Sequence, residues 1–298
     1  MNEINNVLIC GLGAIGTIYA EIIKRSANLK VLVDENRLEK YKNNPINFNG
    51  QSLEFDYILP TCKDFKADLV IIATKYDGFF DAVKNIKNFV GDNTVIISLL
   101  NGVTSEKYLV QEYGKEKVLY SYFIGHSSVR NGRSIVHDGV NKIVFGSPSA
   151  NINVERVKNF FNSLGINYEI PEDIIYSLWL KFVLNVSCNQ ISAVKGYTFG
   201  DIQSSESCMK LVINVMKEVI EIAKAEGVNN TDNLLDDALK ALSIMSPDGK
   251  TSMLQDVEAG RKTEVDIFAG VVTELGKKHG IKTPHNEALK LAIENLTR

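Results

Sequence analysis

The distribution of apolar and polar residues divides the chain into two halves with different periodicity. In the first half, short apolar runs alternate with amphipathic segments, which is the pattern of β-α-β units on a parallel sheet. The predicted strands are apolar throughout, which indicates burial on both faces, and they cover residues 7–10, 31–33, 69–73 and 95–98. The predicted covering helices are residues 14–25, 79–89 and 105–113.

The pattern changes to polar and apolar alternation between residues 118 and 145. Two turn pairs, Asn131-Gly132 and Asp138-Gly139, interrupt this alternation and are typical of β-hairpins. We therefore expect an antiparallel extension of the sheet. A helix over residues 154–164 and a short strand over residues 166–169 complete this half.

After Pro171 the strand patterns almost disappear and helical spacing dominates, over residues 172–194, 206–226, 233–244, 262–279 and 285–295. Pro171 fits the first turn of a helix, and Gly227 and Gly280 stand where helices are expected to end. The predicted fold class is α/β, with an N-terminal Rossmann-type doubly wound sheet over residues 1–168 and an all-helical domain over residues 169–298. We expect the two domains to meet at a cleft.

Composition and charge narrow the class of protein. The 298 residues are 45% hydrophobic and 23% charged, as in an ordinary soluble globular protein. With 33 basic and 36 acidic residues the net charge is -3, so we expect no nucleic-acid partner and no anionic membrane surface. No apolar run approaches the roughly 20 residues of a membrane span, and the N-terminal residues lack a secretory signal pattern. The expected location is the cytoplasm.

Cysteine and histidine spacing gives no metal or disulfide motif. The cysteines form no C-x-x-C pair and the histidines no H-E-x-x-H motif; the cysteines are Cys10, Cys62, Cys188 and Cys208. We expect no metal.

A G-x-G-x-x-G motif directly follows the first predicted strand and opens the first predicted helix; it comprises Gly11, Leu12, Gly13, Ala14, Ile15 and Gly16. Gly11 permits the tight turn, Gly13 lets backbone amides approach a pyrophosphate, and Gly16 lets the helix pack closely on the strand. The N-terminus of the helix favours an anion. The motif predicts dinucleotide binding by residues 1–168.

Asp34, at the end of the second predicted strand, bears on which dinucleotide binds. An acid there would accept a hydrogen bond from the adenosine ribose, which favours NAD and repels the 2′-phosphate of NADP. Arg37 and Lys40 would bind that phosphate if Asp34 turned away. Alternatively, Asp34 only caps the following turn. The expected cofactor is NADP or NAD.

Two further polar residues follow predicted strands. Lys75 and Asn101 come at carboxyl ends, where the ligands of doubly wound sheets bind. Asn101 followed by Gly102 can also be a simple turn. Its position beside the expected nicotinamide favours a role in binding.

One lysine and two asparagines recur at four-residue steps in the first helix of the second half: Lys181, Asn185 and Asn189. On a helix these residues share one face, and the rest of the segment is apolar. We call these three residues the polar stripe. A small polar ligand fits such a stripe, and burial of the lysine would favour proton transfer near neutral pH. Alternatively, Lys181 extends along apolar surface to water, which explains neither asparagine.

A second polar cluster lies between residues 252 and 266 and includes Ser252, Arg261, Thr263 and Glu264. A helix starting near Thr263 would place Glu264 in its favourable first turn. That interpretation does not explain why the other polar residues gather there. Glu264 is therefore the second catalytic candidate.

In their order along the chain, these features resemble the ketopantoate reductase family (2-dehydropantoate 2-reductases). The matching features are the glycine motif, Lys75, Asn101-Gly102, the polar stripe, and Ser252-Met253 leading into Gly260-Arg261-x-Thr263-Glu264-Val265-Asp266. The resemblance implies an NADPH-type reductase that converts the ketone of ketopantoate to the alcohol of pantoate, on the route to pantothenate and coenzyme A.

The resemblance also implies roles for individual residues. Lys181 would be the general acid, and Glu264 would bind the substrate hydroxyl. Asn101, Asn185, Asn189 and Ser252 would complete the site, and Ser128 falls at a backbone contact near the cofactor. General chemistry agrees, since hydride transfer to a ketone leaves an alkoxide that a partly desolvated lysine can protonate.

The chain departs from the family pattern at Asp34, where a basic residue is usual, and at Phe199 and Gly249, where asparagines are usual. The leading hypothesis is an NAD(P)H-dependent reductase of ketopantoate. The alternatives are a reductase of another 2-keto acid and a non-catalytic dinucleotide sensor. The long amphipathic helices after Glu206 offer a face for a homodimer.

Overall fold

The computed structural model describes residues 3–125, 128–137, 139 and 141–296. The chain forms two compact units, Met1–Ile174 and Ile175–Arg298. The first carries a largely parallel sheet and the second is helical wherever it is described, which confirms the predicted fold class. In the described part of the chain, no helix is both long and apolar enough to cross a membrane.

The large sheet of the first unit has eight strands, in the order β12-β11-β8-β7-β6-β1-β2-β5, and a second sheet has the order β4-β3-β10-β9. The strands are β1 (Asn6–Cys10), β2 (Asn28–Leu32), β3 (Ile46–Phe48), β4 (Gln51–Leu53), β5 (Tyr57–Ile58), β6 (Ala67–Ile72), β7 (Val90–Ser98), β8 (Val118–Gly125), β9 (Ser128–Asn131), β10 (Ser134–His137), β11 (Asn141–Gly146) and β12 (Tyr168–Glu169).

Six strands that are adjacent in the sheet, β8-β7-β6-β1-β2-β5, run parallel to one another, and β11 pairs antiparallel with β8. The predicted antiparallel extension is therefore confirmed. Of the predicted turn pair Asp138-Gly139, Asp138 lies outside the described residues. From β1 the chain moves first to β2 on one side and later to β6 on the other, so the strand order reverses at β1. Ligands of doubly wound sheets bind at the carboxyl ends of strands beside this reversal.

Two hydrophobic cores cover the two faces of the large sheet. Along β1, Val7 and Ile9 belong to one core, whereas Leu8 and Cys10 belong to the other. Burial on both faces explains why these strands are apolar throughout. The helices of this unit are α1 (Ala14–Ile23), α2 (Glu35–Asn43), α3 (Phe79–Asn85), α4 (Ser105–Tyr113) and α5 (Ile152–Leu164).

The second unit is built from helices α6 (Ile174–Leu184), α7 (Gln190–Lys195), α8 (Phe199–Ser204), α9 (Glu206–Ala225), α10 (Leu234–Ser243), α11 (Ser252–Glu258), α12 (Ala269–His279) and α13 (Pro284–Leu296), of which α6 begins one residue before the unit boundary. Between α6 and α7 the backbone forms a π-helix over Asn185–Asn189, which we call the π segment. One face of α9 is apolar and buried, because its hydrophobic residues recur with helical spacing.

Two predicted helices differ from the structure. The helix expected over residues 172–194 begins at Ile174, after Pro171, and is interrupted by the π segment. The helix expected over residues 262–279 begins only at Ala269, after a 3₁₀ turn over Val265–Ile267. Thr263 therefore does not start the helix.

Candidate active site

The glycine turn between β1 and α1 is shaped by close backbone contacts. Gly11 has a φ of +99°, and a Cβ there would lie 2.7 Å from the carbonyl oxygen of Ala73. A Cβ on Gly16 would lie 1.9 Å from the carbonyl oxygen of Gly11. Since such distances are far below van der Waals contact, larger residues at these two positions would force the turn apart.

Gly13 is different, because the fold alone does not require a glycine there. It is the N-cap of α1 with a φ of -72°, which other residues adopt readily. Among the described residues, the nearest atom to a Cβ at Gly13 is the carbonyl oxygen of Ala73, at 3.9 Å. The open space lies at the N-terminus of α1, where the helix dipole favours an anion. The turn therefore fits the pyrophosphate of a dinucleotide.

Three predicted site residues follow parallel strands on either side of β1 and so share the carboxyl edge of the sheet with the glycine turn. Asp34 follows β2 and Lys75 follows β6. Asn101 follows β7, is half-buried, and precedes Gly102 with its φ of +98°. Ser128 lies in β9 of the smaller sheet, and its side chain is outside the described part.

Asp34 is the N-cap of α2. Its Oδ1 accepts a hydrogen bond from the backbone N–H of Arg37 at 2.7 Å, and its Oδ2 lies 3.5 Å from Nη1 of Arg37. The carboxylate is about half exposed. The side chain therefore caps the helix and remains accessible at the carboxyl edge.

A buried cluster of hydrogen-bonded side chains flanks the loop that carries Asn101, and the sequence analysis does not predict it. Ser98 Oγ donates to Ser105 Oγ, which donates to Glu106 Oε2, each at 3.0 Å. Ser121 Oγ donates to the carbonyl oxygen of Ser98 at 2.8 Å. These bonds tie both ends of the loop that carries Asn101. The signal in the sequence was the pair Ser105-Glu106 in the first turn of an otherwise ordinary helix.

In the second unit, the polar stripe spans the change from α6 to the π segment. Lys181 is in the last turn of α6, Asn185 is the first residue of the π segment and Asn189 is the last. Lys181 and Asn185 are half-buried, whereas Asn189 is only 7% exposed. Asn189 is therefore the most deeply buried of the three polar groups. π segments inside helices are frequent at functional sites.

The side chains between the two asparagines do not supply a nucleophile. Ser187 Oγ donates to the carbonyl oxygen of Val183 at 2.8 Å and to that of Leu184 at 3.2 Å. Burial raises the pKa of the Cys188 thiol to about 12, so the thiol is neutral at physiological pH. The groups of the stripe left for chemistry are an amine and two carboxamides.

Ser252 and Glu264 belong to segments that pack beside the stripe. Ser252 is the first residue of α11, whose N-cap Thr251 accepts from Leu254 N at 3.2 Å, and α11 packs on α7 and the π segment. Glu264 is half-buried and precedes the 3₁₀ turn. Just beyond that turn, the ring of Phe268 lies 6.4 Å from the ring of Phe182, the residue after Lys181.

The two departures in the second unit, Phe199 and Gly249, are in contact. Phe199 N donates to the carbonyl oxygen of Gly249 at 3.0 Å. A Cβ on Gly249 would lie 3.0 Å from Cδ2 of the Phe199 ring and 2.9 Å from the carbonyl oxygen of Ser246. The absence of a side chain at Gly249 thus makes room for the aromatic ring.

A doubly wound sheet with this glycine turn, followed by a helical unit with an amine and carboxamides, defines an NAD(P)-dependent oxidoreductase. The family model for ketopantoate reductase PanE/ApbA matches residues 7–150, and the model for its C-terminal part matches residues 173–296. The chain therefore belongs to the ketopantoate reductase family.

One relative agrees with this assignment, and two solved structures share the fold. The 2-dehydropantoate 2-reductase of Aquifex aeolicus is 30% identical over 96% of this chain and 95% of its own length. Among solved structures, a 2-dehydropantoate 2-reductase from Geobacter metallireducens superposes with a TM-score of 0.81 at 24% identity, covering 97% of this chain and 99% of its own. A ternary structure of D-mandelate dehydrogenase with NADH and anilino(oxo)acetate superposes with a TM-score of 0.85 at 18% identity, covering 98% of each chain.

Proposed function

We propose that the protein reduces the keto group of 2-dehydropantoate to the alcohol of pantoate, a step toward pantothenate and coenzyme A. The observation that carries this proposal is the polar stripe, in which one amine is followed by two carboxamides, of which that of Asn189 is the more deeply buried. The family of the chain and its similarity to the 2-dehydropantoate 2-reductase of Aquifex aeolicus support the same reaction.

Each residue of the site has a task in this reaction. A bound nicotinamide supplies a hydride to the keto carbon of the substrate. The ammonium group of Lys181 stabilises the negative charge that develops on the keto oxygen and donates the proton that completes the alcohol. The carboxamides of Asn185 and Asn189 donate hydrogen bonds to the carboxylate and keto oxygens of the 2-oxo acid.

Three further residues orient the substrate in this proposal. The carboxylate of Glu264 accepts a hydrogen bond from the hydroxyl group of 2-dehydropantoate, and Ser252 adds a hydroxyl at the N-terminus of α11. Asn101 holds the ligand at the carboxyl edge of the sheet, where its loop is braced by buried hydrogen bonds. The binding energy of these contacts serves to align the keto carbon for hydride transfer.

We further propose that the protein uses NADH in preference to NADPH. Asp34 is accessible at the carboxyl edge, and its carboxylate is held there by the backbone N–H of Arg37. A fixed carboxylate accepts hydrogen bonds from the 2′-hydroxyl of the adenosine ribose and repels a 2′-phosphate. The D-mandelate dehydrogenase with a similar fold was solved with NADH.

A second candidate function is the reduction of another 2-oxo acid, and the contact between Phe199 and Gly249 favours it. Phe199 and Gly249 stand where asparagines are usual in the family, so apolar groups take the place of two carboxamides, and the two residues are in contact. The similar fold of a D-mandelate dehydrogenase holding an aromatic oxo acid analogue is compatible with this candidate.

Steady-state kinetics with 2-dehydropantoate and a panel of aromatic and aliphatic 2-oxo acids, each with NADH and NADPH, tests these proposals. We expect 2-dehydropantoate with NADH to give the highest kcat/KM. A higher value for another oxo acid would select the second candidate. Tight binding of NADH without oxidation by any oxo acid would reject both and identify a dinucleotide sensor.

The role of Lys181 is tested by Lys181→Ala, for which we expect kcat to fall about 100-fold to 10,000-fold, the usual contribution of a general acid. Lys195→Ala is the matched control, because Lys195 is an exposed lysine at the end of α7. A kcat for Lys181→Ala equal to that of the control would exclude Lys181 as the acid.

A further inference from the structure

A chain of buried side chains connects the π segment to the N-terminus of α13. Its members are Gln190, Asn286 and Glu218, which are 0%, 0% and 9% exposed. Gln190 Nε2 donates to Asn286 Oδ1 at 3.2 Å, and Asn286 Nδ2 donates to Glu218 Oε2 at 2.7 Å. Because these residues come from α7, α13 and α9, the chain joins three helices. We call it the carboxamide chain.

Glu218 fixes one end of this chain. Its carboxylate accepts from the backbone N–H of His285 at 2.9 Å and from that of Asn286 at 3.1 Å, in the first turn of α13. His285 Nδ1 also lies 2.7 Å from Glu218 Oε1. A helix N-terminus attracts a carboxylate, since its first amides have no partner within the helix. Glu218 therefore caps α13 from a different helix and is held firmly.

The chemistry of a carboxylate then sets the direction of every hydrogen bond in the chain. A carboxylate can only accept, so Asn286 must present its NH₂ group to Glu218 and its oxygen to Gln190. Gln190 must consequently present its own NH₂ group to Asn286. The second hydrogen of that NH₂ group is directed to the carbonyl oxygen of Val186, at 2.7 Å. No rotation of either amide preserves all of these bonds.

The far end of the chain, Gln190, directly follows the π segment and donates to the carbonyl oxygen of Val186 within it. Val186 directly follows Asn185, and Gln190 directly follows Asn189. In a π-helix the backbone bonds span five residues rather than four, so carbonyl groups at its ends need other donors. Gln190 supplies one such donor, and Ser187 supplies another to Val183 and Leu184.

We propose that Gln190 is a positioning residue that holds Asn185 and Asn189 in the geometry needed to bind the 2-oxo acid. It does so by locking the π segment to the capped N-terminus of α13 through Asn286 and Glu218. The assignment of the two asparagines to substrate rests on the proposed function. The locking itself rests on the hydrogen bonds alone and extends to Asn286 and Glu218, which are remote from the stripe in sequence.

The test is Gln190→Leu, with Gln203→Leu as the matched control. Gln203 is a second glutamine of the same unit whose Nε2 also donates twice, to the carbonyl oxygens of Leu242 and Met245 at 2.8 and 3.2 Å. Both variants replace a glutamine with an apolar side chain that is one atom shorter, and both remove two donated bonds. Only Gln190→Leu breaks the carboxamide chain.

Two quantities are measured in both variants. Hydrogen–deuterium exchange of the ligand-free protein, read in peptides covering residues 183–191, should become about ten-fold faster in Gln190→Leu, as expected for loss of a buried hydrogen bond. The KM for the 2-oxo acid should rise about ten-fold, with kcat and the KM for the dinucleotide changing by less than about two-fold. Gln203→Leu should change neither quantity.

Equal exchange in the two variants would overturn the positioning role, whether or not the protein is active. Equal KM values would overturn the link to substrate binding. If the unmodified protein reduces no 2-oxo acid, the proposed function fails, and the exchange measurement still decides whether Gln190 locks the π segment. If Gln190→Leu does not fold, the isosteric variant Glu218→Gln replaces it. This variant should accelerate exchange in the same peptides, because an amide at position 218 no longer dictates the orientation of the Asn286 side chain. Unchanged exchange in Glu218→Gln would overturn the proposal.

Discussion

The glycine turn and the π segment both place ligand-binding groups, but they do so by opposite means. In the turn, the proposed binding groups are backbone amides. Its shape is set by close backbone contacts, both within the motif, of Gly16 with Gly11, and with the neighbouring chain, of Gly11 with Ala73. In the π segment, the proposed binding groups are side chains. Hydrogen bonds through Gln190 connect its backbone to Asn286 and Glu218, which are far away in sequence.

This difference predicts how the glycine turn and the π segment respond to substitution. A structure set by close backbone contacts tolerates only glycine at the contact positions, so its sequence is a short motif. A structure set by distant hydrogen bonds can be rebuilt by other pairs of residues, so it leaves no short motif. The contrast also implies that damage to the turn should be severe, whereas damage around the π segment should be graded.

The strongest test of the contrast is the pair Gly16→Ala and Gly13→Ala. In Gly16→Ala the new Cβ would lie 1.9 Å from the carbonyl oxygen of Gly11, so we expect a loss of about 1–3 kcal/mol of unfolding free energy from overpacking. The affinity for NAD(P)H should fall about 100-fold, since the turn must open. Thermal unfolding and fluorescence titration with NAD(P)H measure the two quantities.

Gly13→Ala serves as the matched variant, because a Cβ there meets no described atom closer than 3.9 Å. Its unfolding free energy should stay within about 0.5 kcal/mol of the unmodified protein, while NAD(P)H affinity falls about ten-fold. Unchanged affinity in Gly13→Ala would show that the open space in front of this residue is not occupied by the dinucleotide.

Much of the first unit is predictable from the sequence, because its main elements leave short patterns of apolar residues or glycines. Burial on both faces makes β1, β6 and β7 apolar runs, and close backbone contacts fix the glycine motif, so each of these elements has a short signal in the sequence. The region between α2 and β5 was not predicted, because its strands are only two or three residues long and carry little periodicity.

In the second unit the helices were predictable, but the local geometry around the polar stripe was not. The spacing of Lys181, Asn185 and Asn189 predicts one regular helix, whereas hydrogen bonds from Gln190 and Ser187 accompany a π-helix. Such partners are found only when the helices are packed together. For the same reason the contact between Phe199 and Gly249 could not be read from two positions distant in sequence.

Asp34 caps α2, and we propose that it also selects the dinucleotide; two substitutions separate these two roles. Asp34→Asn retains the cap of α2, since asparagine caps as well as aspartate, but removes the negative charge. We expect the ratio of NADPH to NADH affinity to rise about ten-fold, because repulsion of the 2′-phosphate is lost. Titration with each dinucleotide measures this ratio.

Asp34→Ala should give a similar shift in the ratio and, in addition, lose about 1 kcal/mol of unfolding free energy because the cap is absent. The stability difference between the two variants isolates the cap. If neither variant changes the ratio, the carboxylate acts only on α2 and does not select the dinucleotide.

The smallest expected effect concerns Gly249, a glycine that is constrained partly by a side chain rather than by backbone alone. Gly249→Ala places a Cβ 3.0 Å from the Phe199 ring and 2.9 Å from the carbonyl oxygen of Ser246, so it should destabilise the protein. In Gly249→Ala combined with Phe199→Leu, the contact with the ring is relieved and that with Ser246 remains. We therefore expect the double variant to be about 0.5–1 kcal/mol more stable than the sum of the single effects predicts.

Urea unfolding of the four proteins of this cycle measures that coupling. The control cycle pairs Phe199→Leu with Gly276→Ala, whose Cβ would meet the carbonyl oxygen of Ile281 at 2.8 Å and which has no contact with the ring. These two changes should be additive. Additivity at Gly249 as well would mean that backbone contacts alone require a glycine there, as at Gly16. Phe199 and Gly249 would then be two independent departures from the family pattern rather than a single exchange of polar groups for an aromatic ring.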